Sequence, residues 1–105
     1  HVEAIHALYA NGKFINERFS IGGGYETSNI EIIQLILKIM EKDHGYADSK
    51  NLIEFVEDRK GHDFRYAINN SKLKAATGWE PSHSFQEHIK KTIDWYISHT
   101  DWWEE

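Results

Sequence analysis

No cysteine occurs among the 105 residues. Disulfides, thiolate nucleophiles and cysteine zinc sites are therefore excluded, and a cytoplasmic setting fits. Positive charge is scarce too. Twelve Lys and Arg against 17 Asp and Glu leave a net charge of −5, and only three of the twelve are arginine. Nucleic acid rewards clustered cations with counterion release, so this balance argues against it as a partner. Long apolar runs are missing as well. The best candidate, IEIIQLILKIM, is interrupted by Glu31, Gln34 and Lys38, which excludes a membrane-spanning helix; no membrane partner is expected. No Gly-x-Ser-x-Gly elbow marks a nucleophile. The seven histidines are scattered, and no two stand four apart as a helical zinc site requires, so no metal site is expected. The chain opens on His1 rather than Met and shows no signal sequence. We expect it to be the end of a longer protein.

What is present suits one domain with one modest core. Val2, Ile5, His6 and Tyr9 fall at near-helical spacing, ending near Asn11-Gly12. Phe14 to Ile21 reads as a connection into a strand, with Phe19 and Ile21 on one face. Ser28-Asn29-Ile30-Glu31 is a capping box, opening a helix with a broad apolar face to about Lys42. A polar loop follows, then a strand over Leu52 to Val56. Strand, helix, strand predicts a βαβ unit with a right-handed crossover. Arg65 to Ile68 adds a possible short strand. Asn70 is placed to cap a short helix, Ser71 to Thr77, stopped by Gly78. Trp79-Glu80-Pro81 reads as a turn. Ser84-Phe85-Gln86-Glu87 is a second capping box, opening a helix in which Phe85, Ile89, Ile93, Tyr96 and Ile97 share a face. Trp102 and Trp103 call for a covering surface. The fold class expected is α/β, a βαβ unit with flanking helices.

Two stretches carry candidate chemistry. Gly22-Gly23-Gly24, between a strand and a helix, is able to cradle phosphate at a helix N-terminus. Its spacing is not that of a dinucleotide fingerprint, and a plain turn is the favoured reading. The second stretch is VEDRKGHDFRYAI, residues 56–68, which holds two of the three arginines. Ligands of a βαβ unit gather at the carboxyl ends of parallel strands, and Asp58 to His62 follows such an end. Arg59 offers a planar fork for phosphate oxygens. Lys60 adds a mobile charge, Gly61 lets the backbone turn, and His62 donates from either nitrogen. Asp58 and Asp63 are placed to orient these groups or to meet sugar hydroxyls. The set suits a diphosphate on a polar group. A solvated loop with internal ion pairs of little worth stands beside that reading.

Several runs fall in a recognisable order: Ile21-Gly22-Gly23-Gly24, Val56 to Asp63, Arg65-Tyr66-Ala67-Ile68, Ser71-Lys72 with Gly78-Trp79-Glu80-Pro81, and Lys91 to Tyr96. Together they resemble the C-terminal part of the dTDP-glucose 4,6-dehydratases, a family of extended short-chain dehydrogenases/reductases, over nearly the whole chain. The Gly-Trp-x-Pro turn is shared by many nucleotide-sugar enzymes. The Asp-Arg-x-Gly-His-Asp run followed by Arg-Tyr-Ala is more specific. The resemblance implies a substrate-binding domain spanning residues 1–105, with the Rossmann NAD-binding domain, the Tyr-x-x-x-Lys pair and the acid/base carboxylates all upstream of it. It implies a full-length homodimer that turns dTDP-glucose into dTDP-4-keto-6-deoxyglucose and water with NAD as cofactor, toward rhamnose and other surface sugars. By the match, Asp58, Arg59, Lys60, Gly61 and His62 face the substrate, with Arg59 and His62 at the diphosphate and nucleotide end. Ser20 stands where the family usually has a substrate-contacting Asn. Lys60 stands for a usual Pro, so the loop gains a charge and loses stiffness, and Asn69 stands for a usual Asp. No catalytic or cofactor-binding residue is expected in this chain, which alone should be inactive. The other readings are a stand-alone binding or interaction domain and a related UDP-sugar dehydratase.

Overall fold

The computed structural model describes residues 1–104, the side chain of Ser49 excepted. These residues form four α-helices: α1 (Val2–Asn11), α2 (Asn29–His44), α3 (Ser71–Thr77) and α4 (Phe85–Ser98), with 3-10 turns at Ser49–Leu52 and Thr100–Trp102. They gather into two compact units, one made of residues 1–26 and 63–82, the other of residues 27–62 and 83–105.

In the first unit α1 packs against α3. Each contributes one fully buried residue, Ala4 and Leu73. The small Ala4 side chain lets a neighbour approach the α1 backbone closely. Gly12 ends α1 at φ 66°, a left-handed conformation that glycine adopts without steric cost. Lys72 of α3 fastens the connecting segment. Its Nζ lies 2.9 Å from Glu17 Oε2, donates to the Arg18 carbonyl at 3.0 Å, and sits 4.5 Å from the centre of the Phe19 ring. The start of α3 corrects one expectation. Asn70 holds the N-cap position as expected, but its side chain makes no cap hydrogen bond. Its side chain donates instead to the Gly22 carbonyl at 3.1 Å, while Asn69 Oδ1 accepts from the Ser71 N–H at 2.9 Å.

In the second unit α2 packs against α4 and against the first 3-10 turn. Both helices begin with the capping boxes read from sequence, complete in both directions. Ile93 of α4 is buried, and Ile32, Leu35, Ile36, Ile39 and Met40 of α2 are half-buried, as are Phe85, Ile89 and Ile97. Tyr96 departs from the expected inward face and remains 46% exposed. A polar lattice joins the end of α2 to α4. His44 Nε2 lies 2.9 Å from Asp94 Oδ1, and Lys90 Nζ lies 2.6 Å from Asp43 and 3.5 Å from Asp94. Past α4, Trp103 Nε1 donates to the Tyr96 carbonyl and the Trp102 ring meets Trp95 edge-on.

The expected α/β architecture, with its βαβ unit, is not what the described residues form. No strand occurs among them. The segments 19–21, 52–56 and 65–68 carry strand-like composition, but a strand exists only as a hydrogen-bonded pair, and none of the three has a ladder partner. Phe55 and Val56 are 84% and 79% exposed. The apolar residues that signalled a buried strand thus lack both a neighbouring strand and a covering layer. Residues 22 and 68 do approach each other: a Cβ on Gly22 would stand 2.8 Å from Ile68 Cβ. That contact is side-chain packing, not backbone pairing.

Candidate functional site

Residues 56–68 are divided between the units after His62. On the second unit, Arg59 to His62 makes a tight turn closed by His62 N–H donating to the Arg59 carbonyl at 3.3 Å. Gly61 occupies the third turn position at φ 75° with open space around it. Positive φ there, with none at Lys60, is the pattern of a type II turn. Asp58 holds this turn from its N-terminal side. One oxygen, Oδ1, accepts from the Arg59 N–H at 2.8 Å and lies 2.7 Å from His62 Nδ1. The hydrogen bond with His62 holds the Asp58 carboxyl below its ordinary range, helped by Coulomb attraction to His62 and by the Arg59 N–H.

The cations of the turn are the informative part. Among the described residues, the Arg59 guanidinium and the Lys60 ammonium have no hydrogen-bond or ion-pair partner. The other arginine of the stretch differs. In the first unit, Arg65 donates through Nε and Nη2 to Glu26 Oε2, and the Tyr66 hydroxyl donates to Asp63, which pushes the phenol up. Internal pairing therefore accounts for Arg65 and for His62, and leaves Arg59 and Lys60 unpaired. Ser20 belongs to the first unit and is exposed. Five of the six candidate residues, Asp58 to His62, thus meet in one turn.

The glycine run acts as packing and turn. Gly22 lies against Ile68, Gly24 adopts φ 68°, and four residues separate the run from α2. At the start of α2 the position an anion would take is filled by Glu31, whose carboxylate accepts from Ser28 N–H at 2.9 Å and from the Thr27 hydroxyl at 2.7 Å. These hydrogen bonds, the Ser28 backbone one first, lower Glu31 to about 2. With Glu31 in that position, the start of α2 does not fit a dinucleotide phosphate. Among the described residues no group of three His, Cys, Asp or Glu is placed to hold a metal.

Sequence reasoning missed the His83 and His88 rings, 4.9 Å apart at the start of α4, and the stacking of His99 on Trp95 at 4.6 Å. The i, i+4 offset of Trp95 in α4 and His99 just past its end was the available signal for the second. A cleft of about 630 Å³ beside α2, lined by Gln34, Leu37, Lys38, Glu41, Lys50 and Ile53, was not foreseen either. It shares no residue with the Asp58–His62 turn.

The fold context of this cationic turn is defined by its relatives. A family profile described as GDP-mannose 4,6 dehydratase matches residues 1–92, and the chain belongs to that family. Among individual proteins it is similar to dTDP-glucose 4,6-dehydratase of Xanthomonas campestris, 41% identical over 105 residues, which cover 97% of this chain and 30% of that protein. The Escherichia coli dTDP-glucose 4,6-dehydratase is 38% identical, covering 99% of this chain and 30% of the enzyme. The crystal structure of dTDP-glucose 4,6-dehydratase from Bacillus anthracis in complex with NAD superposes with a TM-score of 0.83 at 36% identity, over 99% of this chain and 30% of that one. The chain thus spans about 30% of the length of the curated relatives it matches.

Proposed function

We propose that this chain supplies the sugar-nucleotide grip of a dTDP-glucose 4,6-dehydratase, with the Asp58–His62 turn as the part that holds the pyrophosphate. The observation that carries this reading is the Arg59 guanidinium, without a partner among the described residues, on a turn clamped by Asp58. A planar fork on a short turn suits two adjacent phosphate groups, because bidentate charge-assisted hydrogen bonds match its geometry. Lys60 adds a second positive charge, and Gly61 leaves the backbone open to close approach. The overall charge of −5 makes this turn a local exception and not part of a basic surface.

On this reading the full-length enzyme converts dTDP-glucose to dTDP-4-keto-6-deoxyglucose and water. NAD is held by a Rossmann domain outside these residues, and accepts and returns hydride there. Residues 1–105 bind and orient the sugar nucleotide and contribute no acid, base or hydride carrier, so they are inactive alone. Homodimerisation of the full-length enzyme belongs to the same reading, as does a sugar-nucleotide contact by the Ser20 hydroxyl. The similarity of the chain to three dTDP-glucose dehydratases supports thymidine over guanosine or uridine as the base.

The test is calorimetric titration of the full-length protein with dTDP, with UDP and GDP as competitors. Arg59→Ala is expected to weaken dTDP binding by about 1.5–3 kcal/mol, the range for hydrogen bonds to charged groups. Unchanged affinity in that variant would remove the turn from the binding site. Preference for UDP or GDP over dTDP would reassign the substrate within the family.

A further inference from the structure

The Asp58 contact fixes more than the position of the His62 ring. A carboxylate held below its ordinary range is ionised near neutral pH and offers only acceptors. An Oδ1 to Nδ1 distance of 2.7 Å then requires the ring proton to sit on Nδ1. A neutral imidazole so held presents Nε2 as a bare lone pair. Pyrophosphate oxygens are acceptors too, so the two lone pairs would face each other. Only the imidazolium, with a proton on both nitrogens, satisfies Asp58 and a phosphate oxygen together. Among the described residues, Asp58 is the one charged group within bonding distance of His62. Arg59 and Lys60 lie on the same turn. The neighbouring Asp63 carboxylate accepts from the Tyr66 hydroxyl.

Building on the sugar-nucleotide reading, we propose that Asp58 is a positioning residue that makes pyrophosphate binding take up a proton on His62 Nε2. The ligand is the diphosphate of a nucleoside, and the proton comes from solvent. The turn therefore grips its ligand more tightly as pH falls from 8.5 toward 6. Binding is therefore expected to be several-fold weaker at pH 8.5 than at pH 6.

The experiment is calorimetry of the full-length protein with dTDP, in buffers of differing ionisation enthalpy, from pH 6 to 8.5. The ligand's own phosphate titrates in this range, so wild type is compared with His62→Gln, and the difference cancels the ligand's contribution. The wild type should take up a measurable fraction of a proton more per dTDP at pH 7 than His62→Gln. Asp58→Asn, whose amide tolerates a neutral ring protonated on Nε2, should lose most of that excess uptake and flatten the pH profile. A purely structural role for Asp58 would instead weaken binding equally at every pH. Nitrogen-15 shifts of the His62 ring in the free wild-type protein should show the Nδ1–H tautomer as the neutral form. An Nε2–H neutral form overturns the inference, and so does dTDP binding with no excess proton uptake; in the latter case the sugar-nucleotide reading stands. Failure of dTDP to bind, or binding indifferent to Arg59→Ala, overturns both.

Discussion

At the scale of single residues, the turn from Asp58 to His62 depends on two positions with unlike roles. Gly61 is needed for its backbone. At φ 75° a Cβ meets no neighbour within 4 Å, so the cost of Gly61→Ala lies in the left-handed conformation itself, about 1–2 kcal/mol. If the turn relaxes to avoid that cost, Arg59 loses its placement. Urea unfolding of Gly61→Ala should show a loss near 1 kcal/mol, and dTDP affinity should fall with it. Asp58 matters for its charge. Its folded carboxyl titrates below the ordinary range, because of the His62 hydrogen bond first. The clamp therefore contributes fully above the ordinary carboxylate range and is lost as pH falls through the lower folded value. Amide exchange at Arg59 followed by NMR should quicken over that acid window, and Asp58→Asn should abolish the dependence. The sequence made the residue set visible, since glycine, cations and acids clustered in six positions. It could not show that Arg65 is matched to Glu26 while Arg59 has no partner among the described residues, because that pairing joins residues 39 apart.

At the scale of elements, the helices were readable and the strands were not. Helix ends carry local signals: Ser28 and Glu31, Ser84 and Glu87, Gly12 and Gly78 all act within four residues of one another. These signals survive without any tertiary partner. Glu31, lowered to about 2 by its Ser28 and Thr27 hydrogen bonds, gives α2 a measurable pH signature. A depressed carboxylate stabilises fully above its unfolded value near 4.5 and loses that contribution as pH falls toward 2. Thermal unfolding of wild type against Glu31→Gln should diverge above pH 4.5 and converge near pH 2. Ser28→Ala should cost about 1 kcal/mol at neutral pH, the usual worth of such a cap. At α3 the N-cap position of Asn70 was read correctly, but the side chain that meets the first helical N–H is that of Asn69, a chemically like neighbour. Only the carbonyl of Gly22, 48 positions away from Asn70, decided which amide went where.

At the scale of the whole molecule, the buried core is small. Ala4, Leu73 and Ile93 are the buried apolar residues among those described. Leu73→Ala should destabilise the first unit by about 2–5 kcal/mol, as core Leu truncations do, measured by denaturant unfolding of the full-length protein. Large apolar side chains remain outside: Phe55 is 84% exposed, Phe64 fully so, and Trp102 70%. Exposed apolar area on this scale favours association. The 105-residue chain, produced alone, should gain apparent mass with concentration in light scattering. Replacing Phe55 and Phe64 with Ser should restore a monomer, and a clean monomer of the unaltered chain at high concentration would contradict the expectation.

The sequence by itself determined the helices, the capping boxes of α2 and α4, the absence of thiol chemistry and the cationic run, because each of these rests on residue identity or on contacts between near neighbours. It also pointed to the family, through short ordered motifs. Tertiary structure alone decided which cations are spent on internal pairs and which stay available, and whether strand-like segments find partners. Those outcomes depend on residues brought together from distant positions, and no local pattern encodes a partner that local sequence does not contain.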